Sequence, residues 1–488
     1  MKTPIIEFVS QYVQKNGTRF HMPGHKGCAP FGMRSDVEGD AKADSYDAAF
    51  ASILPYDITE ISGADELYHA DGIIRESEQN ASELFGCPTF YSTEGSSLCI
   101  RAMLYLALQK ANSSAGSTCP QPMVLAARNV HQTFLSACAL LDLDVTWLWQ
   151  GSGDASYLSL NIKASDVSAE LLRMKETAGL PICVYITTPD YLGHILDVEG
   201  IAKVCHEFGV PLLVDNAHGA YLKFLPKPKH PIDLGADMCC DSAHKTLPVL
   251  TGGAYLHVAA DGLLSDTQEN VKTALSMFGS TSPSWLILQS LDYANKILSE
   301  GFSENLSRAC ADVKKCKAKL DSLGYTFHGE EEIKITILSR NEEMTGDILA
   351  EYLRTENIEV EFSDPDMLVL MADPMGDLPA IEKLTHALTK FAQEHDLQPA
   401  TGTCTAAKAH GRKTIGVIRP EKCFSIREAS LMPVEKVKLE DAEGRIAAFG
   451  NTICPPAVAI VCPGEKIEAG VISCLKERGV IELNVVKC

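Results

Sequence analysis

No apolar run in this sequence is long enough to cross a membrane; the longest, such as PLLVD and VAIVC, are the size of a strand. The N-terminal MKTPIIEFVSQYVQKNG lacks the continuous apolar block of a signal peptide and reads as an amphipathic first helix that docks on the rest of the chain. Positive charge is in deficit. Lys and Arg number 43 against 64 Asp and Glu, a formal net charge of −21, which disfavours nucleic-acid binding because phosphate contacts need basic clusters. An acidic field would help attract a cationic substrate, although acidic balances are also common among bacterial-type cytosolic proteins. No C-x-x-C occurs among the 17 cysteines, which speaks against a zinc site, and no metal is expected. The cysteines are scattered and odd in number. Without a secretion signal they read as reduced, mostly buried thiols of a cytoplasmic protein. No internal repeat or low-complexity tract appears.

What is present is an alternation. MVLAARNV (123–130), VTWLW (145–149), ICVYITTP (182–189), VPLLVDNAHG (210–219) and ADMCCDSAHK (236–245) read as strands. Between them lie helical stretches, among them QTFLSACALLD (132–142) and DVEGIAKVCHEFG (197–209), the latter capped by Asp197 and closed by Gly209. Near-continuous apolar strands alternating with helices indicate an α/β fold with a mainly parallel sheet buried on both faces. A chain of 488 residues exceeds what one core usually supports. After about residue 300 the pattern becomes strand, helix, strand pair and helix, as in a small α+β domain. A polar linker, QPATGTCTAAKAHGRK, then leads to a short β-rich C-terminal subdomain. The expected division is an N-terminal arm (1–55), a large domain (56–300), a small domain (301–396) and a C-terminal domain (397–488).

In buried parallel sheets the ligand site lies beyond the carboxyl ends of the strands. The polar residues at those ends are Arg128, Asn129 and His131; Asp215 and His218; and Ser242, His244 and Lys245. Asp215 and Lys245 could form a plain ion pair, since buried charges need partners. They also suit pyridoxal 5'-phosphate, which needs a lysine for a Schiff base and an acid to keep its pyridine nitrogen protonated. Its phosphate needs hydroxyls and free amides at a helix start. Gly95, Ser96 and Ser97 directly precede an amphipathic helix, where the first-turn amides and the helix dipole favour a dianion. Alone, that is an ordinary serine cap; together with Asp215 and Lys245 it points to the cofactor. His131 could stack on the cofactor ring or move a proton. In an extended segment His244 points away from Lys245, so the two share a space only if the chain turns.

These segments resemble the pyridoxal-phosphate-dependent ornithine/lysine/arginine decarboxylases of bacteria, in their short form without the N-terminal wing domain. The likeness spans nearly the whole chain and includes FHMPGHKG (20–27), RNVHQTFLSACAL (128–140), PDYLGHILDVEGIAKVCHEFGVPLLVDNAHGAY (189–221) and ADMCCDSAHKTLP (236–248). The resemblance implies a fold-type-I architecture and a decarboxylase acting on arginine, lysine or ornithine, as in polyamine biosynthesis. It implies that Lys245 carries the cofactor, Asp215 pairs with the pyridine nitrogen and His131 stacks on the ring. Gly95, Ser96, Ser97, Ser242 and His244 would hold the phosphate, and His218 would lie near the Schiff base or substrate. It further implies a homodimer or higher homo-oligomer with shared sites, the segment STSPS (280–284) reaching the partner's phosphate. Another fold-type-I reaction, such as an aminotransferase or aldolase, or a non-catalytic homologue, is the alternative. The chain departs from the family pattern at Asn216, Tyr221 and Glu94, the last placing a charge beside the expected phosphate. Many acids could face the cationic tail of a substrate and the sequence does not rank them; Glu465 in CPGE is one of them.

Overall fold

Seven short strands carry the centre of the molecule: β1 (Thr89–Ser92), β2 (Met123–Ala127), β3 (Asp144–Leu148), β4 (Cys183–Thr187), β5 (Leu212–Asp215), β6 (Met238–Asp241) and β7 (Ala254–Val258). The computed structural model describes residues 1–28, 45–116, 121–149, 157–398 and 419–487. The strands form one sheet in the order β1-β7-β6-β5-β4-β2-β3, in which β7 runs antiparallel to both its neighbours and the other pairings from β6 to β3 are parallel. Successive residues alternate between two cores. Ala126, Tyr185, Leu213 and Cys240 pack on one face, and Leu125, Val184, Val214 and Cys239 on the other. This two-sided burial is why the strands read as unbroken apolar runs rather than as alternating ones.

One strand is shorter than its sequence suggests. The run 236–245 reads as one strand, with His244 and Lys245 sharing a space only if the chain turns at its end; β6 stops at Asp241, and residues Ala243–Thr246 form that turn, a single one of helix. The turn closes through Lys245 N–H to the Ser242 carbonyl at 3.0 Å and Leu247 N–H to the Ala243 carbonyl at 2.8 Å. It rotates His244 and Lys245 off the alternating strand geometry and so lets both reach the same space.

A second, antiparallel sheet of β8 (Thr326–His328), β9 (Lys334–Leu338), β10 (Phe362–Ser363) and β11 (Met367–Met371) has the order β10-β11-β9-β8. It packs with the helices Phe302–Asp321, Gly346–Thr355 and Leu378–Glu394 around its own core. Towards the C-terminus β12 (Val434–Lys438) pairs with β13 (Glu482–Val486) beside the helix Ala469–Glu477. Of the expected polar linker, residues 399–413 lie outside the described residues.

The C-terminal part is latched to the carboxyl rim of the large sheet. Arg128 donates to the carbonyls of Ala459 (2.9 Å) and Ile460 (3.2 Å) and pairs with Glu465 at 3.0 Å, with both side chains buried. Gln132 N–H bonds the Ala457 carbonyl at 2.8 Å, and His131 bridges Val458. On the other side of the rim, Gly252 accepts from Gly95 N–H at 2.7 Å. Gly252 has φ +100°, and a Cβ there would lie 3.0 Å from the Thr93 carbonyl oxygen. A Gly252→Ala variant is therefore expected to lose about 1–3 kcal/mol of stability, seen as a lower urea midpoint with an unchanged slope.

Candidate active site

Gly95, Ser96, Ser97, His131, Asp215, His218, Ser242, His244 and Lys245 all line one cavity of about 310 Å³ at the carboxyl ends of the parallel strands. Each arrives from a strand end or the first turn of a helix. Asp215 is the last residue of β5, and in register it sits beside Thr187 of β4 and Cys240 of β6. Its carboxylate is buried and accepts from the Tyr185 hydroxyl (3.3 Å) and the Ala217 amide (3.2 Å). Burial raises its pKa, against the opposing pull of the Lys245 charge.

Lys245 stands on the turn after β6. Its Nζ lies 3.1 Å from His218 Nε2, to which the ammonium donates. Solvent reaches Lys245 through the pocket, yet the surrounding protein still pushes its pKa down, with Asp215 acting in the opposite sense. His218 is buried and held well below the ordinary imidazole range, by burial first and by Lys245 second, so its ring is neutral at physiological pH. Tyr191 packs edge-on against it, with ring centroids 5.4 Å apart.

The helix Gly95–Ala115 opens on the cavity with the first-turn amides that follow Gly95, whose own N–H is taken by Gly252. Ser242 donates to Ser96 Oγ at 2.8 Å, and Ser97 shares a 3.0 Å bond with Thr133 Oγ1. His131 caps the next helix by accepting Thr133 N–H at Nδ1 (3.2 Å), which puts the proton of its neutral form on Nε2. Burial first, then the charges of Lys245 and Arg101, push His131 down from 6.5 to about 4. His244 donates from Nδ1 to the Gly253 carbonyl at 2.9 Å.

Several residues marked as candidates stand elsewhere. Arg128 and Glu465 pair with each other in the latch, so Glu465 is not available to a substrate tail. The Glu94 carboxylate accepts from the Ser280 amide at 2.6 Å and does not line the cavity. Asn216 and Tyr221 do not line it either. Asn216 donates to Asp241, and Tyr221 is buried in the core. Conversely, Thr187, Tyr191, Thr251, Gly252, Pro456 and Val458 line the cavity and were not foreseen as site residues. The one available signal was for Thr187, since ICVYITTP ends a strand on the same rim. Asn129 Oδ1, Thr187 Oγ1 and His218 Nδ1 are buried without a hydrogen-bond partner among the described residues. Buried polar atoms left open at a cavity wall are the mark of a polar ligand's seat.

Fold and site together define an enzyme of fold-type-I architecture. The Orn/Lys/Arg decarboxylase major-domain family matches residues 3–336 and its C-terminal domain matches residues 413–477. The chain belongs to the Orn/Lys/Arg decarboxylase family, and the enzyme class is amino-acid decarboxylase. It is 28% identical to the uncharacterized protein YaaO of Bacillus subtilis, over 96% of this chain and 92% of that protein. It is 29% identical to an arginine decarboxylase of Halalkalibacterium halodurans, over 98% of this chain and 93% of the relative. Its fold matches the lysine decarboxylase LdcF of Francisella novicida with a TM-score of 0.77 at 17% identity, covering 99% of this chain and 81% of the other.

The lowered pKa of His131 has a consequence for stability. An unfolded chain takes up a proton at His131 near 6.5, whereas the folded chain holds the ring neutral down to about 4. The contribution of this group is therefore fully present above pH 6.5 and is lost as the pH falls from 6.5 to 4. A His131→Gln variant is expected to flatten that part of the curve of unfolding free energy against pH, measured by urea titration.

Proposed function

We propose that this protein removes carbon dioxide from a basic amino acid with the aid of pyridoxal 5'-phosphate, and that arginine is its first candidate substrate. The observation that carries the reading is the convergence of Lys245, Asp215 and the helix start at Gly95–Ser97 on one cavity. Arginine is placed first because the Halalkalibacterium halodurans relative bears that activity in its name. The residues fit the cofactor: the open Thr187 hydroxyl can donate to it, the open Asn129 Oδ1 can accept from a donor on it, and the neutral His131 ring suits a flat guest.

When bound, pyridoxal phosphate supplies an electron sink for the pair left at Cα as the carboxylate departs. The protein does the rest. Lys245 would hold the cofactor's aldehyde carbon, and the first-turn amides with Ser96, Ser97, Ser242 and His244 would hold the phosphate. Asp215, buried and flanked by the Tyr185 hydroxyl, would keep a proton on the pyridine nitrogen. The His131 ring would stack on one face. His218 Nε2, already in contact with Lys245 Nζ, would orient that amine and exchange a proton with it as it is displaced and reattached. With Glu465 committed to the latch, Glu361 is our candidate acid for the cationic tail. Its Oε1 accepts from the hydroxyl of Tyr191, which lines the cavity, and its charge acts on Lys245. A cytoplasmic homodimer with shared sites is part of the same reading.

Purified protein incubated with arginine, lysine and ornithine should release carbon dioxide without any keto acid, and borohydride should fix the cofactor to Lys245. Strict dependence on a keto acid would instead show an aminotransferase. Lys245→Ala should keep the fold and lose the adduct, and Asp215→Asn should lower kcat by about a hundredfold or more. In Glu361→Gln, KM for the basic substrate should rise about tenfold with a smaller change in kcat, corresponding to ~1.4 kcal/mol of lost binding.

A further inference from the structure

In the core around β6 four metal-ligating side chains meet: His230, Cys239, Asp241 and His257. One ligand atom from each lies within 4.8 Å of all the others, and all four residues are buried. His230 Nε2 and His257 Nε2 each lie 3.1 Å from the same oxygen, Asp241 Oδ2. Cys239 Sγ lies 3.9 Å from His230 Nε2. No step of the proposed reaction uses any of them.

The hydrogen bonding around the quartet leaves its inner atoms directed at one another. Asp241 Oδ1 is engaged by the Asn216 amide at 2.6 Å, so Oδ2 alone faces the two imidazoles. The Thr89 hydroxyl lies 3.0 Å from the Cys87 carbonyl and 2.9 Å from His257 Nδ1; when it gives its hydrogen to the carbonyl, it accepts from His257 Nδ1–H. A neutral His257 then turns a bare Nε2 lone pair on a carboxylate oxygen. Without a cation between them, that contact is repulsive unless the ring itself is charged. His230 Nδ1 has no partner among the described residues, so the ring makes its polar contacts only within the quartet.

We propose that His230, Cys239, Asp241 and His257 form a structural site for a divalent transition-metal ion of the zinc class. Zinc binds N, O and S tetrahedrally at about 2.0–2.3 Å, which spaces its ligand atoms about 3.3–3.8 Å apart. Three of the six separations, 3.1, 3.1 and 3.9 Å, lie on either side of that range, and the other three are no longer than 4.8 Å, so an ion would draw some of the ligand atoms together. The charges also close: one carboxylate and one thiolate neutralise a divalent ion in a core where a net charge would be costly. Thr89 on His257 and Asn216 on Asp241 are outer-shell partners of the kind that orient ligands. The site would pin β6 to β7 and to the turn at His230 (Pro231–Leu234), directly beneath the strand end that presents Ser242 and Lys245. The absence of C-x-x-C does not bear on it, because the ligands come from three separate elements and include one cysteine.

Protein purified without chelator should carry about one zinc-class ion per chain by elemental analysis. Cys239→Ala and Asp241→Asn should lose that ion, whereas Cys423→Ala, which removes an exposed thiol, should keep it. A core substitution can also unfold the chain, so the unaltered protein supplies the second measurement. It is unfolded with chelator and refolded with or without cobalt(II). The expected result is the visible spectrum of tetrahedral cobalt with a thiolate charge-transfer band, together with a higher unfolding midpoint than the metal-free form. Native protein with no more metal than Cys239→Ala, or refolded protein with neither the cobalt bands nor a gain in midpoint, overturns the proposal and leaves a hydrogen-bonded imidazolium–carboxylate cluster. Metal content is read independently of decarboxylation, so neither result depends on the substrate.

Discussion

The arrangement rests on a carboxylate and an amine held at the ends of two adjacent strands. Asp215 ends β5, and Lys245 stands one turn beyond the end of β6. The protein around each disfavours its charged form, and each favours the charge of the other. Such a pair is poised rather than locked. A group that brings its own positive nitrogen to Asp215 and its own carbon to Lys245 would satisfy both. Everything else at the rim serves that geometry: the turn Ala243–Thr246 swings Lys245 inward, the latch through Arg128 and Glu465 closes the C-terminal wall, and Gly252 allows the loop to approach Gly95.

How much of this could be read from the chain follows from where each residue sits. Asp215, His131 and Lys245 were legible because each ends an apolar strand run or stands within four residues of its end, and strand ends gather on one rim whatever the details of packing. The helix start at Gly95–Ser97, which lines the cavity, was legible because glycine and two serines precede an amphipathic helix. Pro456 and Val458 were not, because they reach the cavity from more than two hundred residues away through a backbone bridge that leaves no local pattern. Tyr191 was hidden for a related reason: its role comes from edge-on packing against His218, a contact between two different strand ends.

Glu465 shows the opposite error. An acid near a C-terminal motif is chemically suited to a cationic tail, but chemistry alone did not reveal that Arg128 would already hold it. The latch buries both charges, with Glu465 also accepting from the Cys462 amide at 2.6 Å. Breaking such a pair would leave an uncompensated charge in the core, so the latch is a poor place to recruit a substrate ligand. The acid that meets the substrate has to be one with a freer carboxylate near the pocket wall.

The departures from the family pattern now have a physical address. Glu94 is turned to the Ser280 amide and Tyr221 is packed in the core, so neither alters the wall that a substrate would touch. Asn216 matters differently. Its amide donates to Asp241 across the β5–β6 boundary, and a carboxylate in its place would set two like charges at hydrogen-bonding distance in a site without solvent. Asn216 and Asp241 therefore belong together as a pair, one residue past Asp215 on β5 and one before Ser242 on β6. The backbone bond from Asn216 N–H to the Cys240 carbonyl at 3.0 Å ties the same two segments. A change at either position would be felt first in how firmly those strand ends are held, and only through them at the amine and the carboxylate of the cavity.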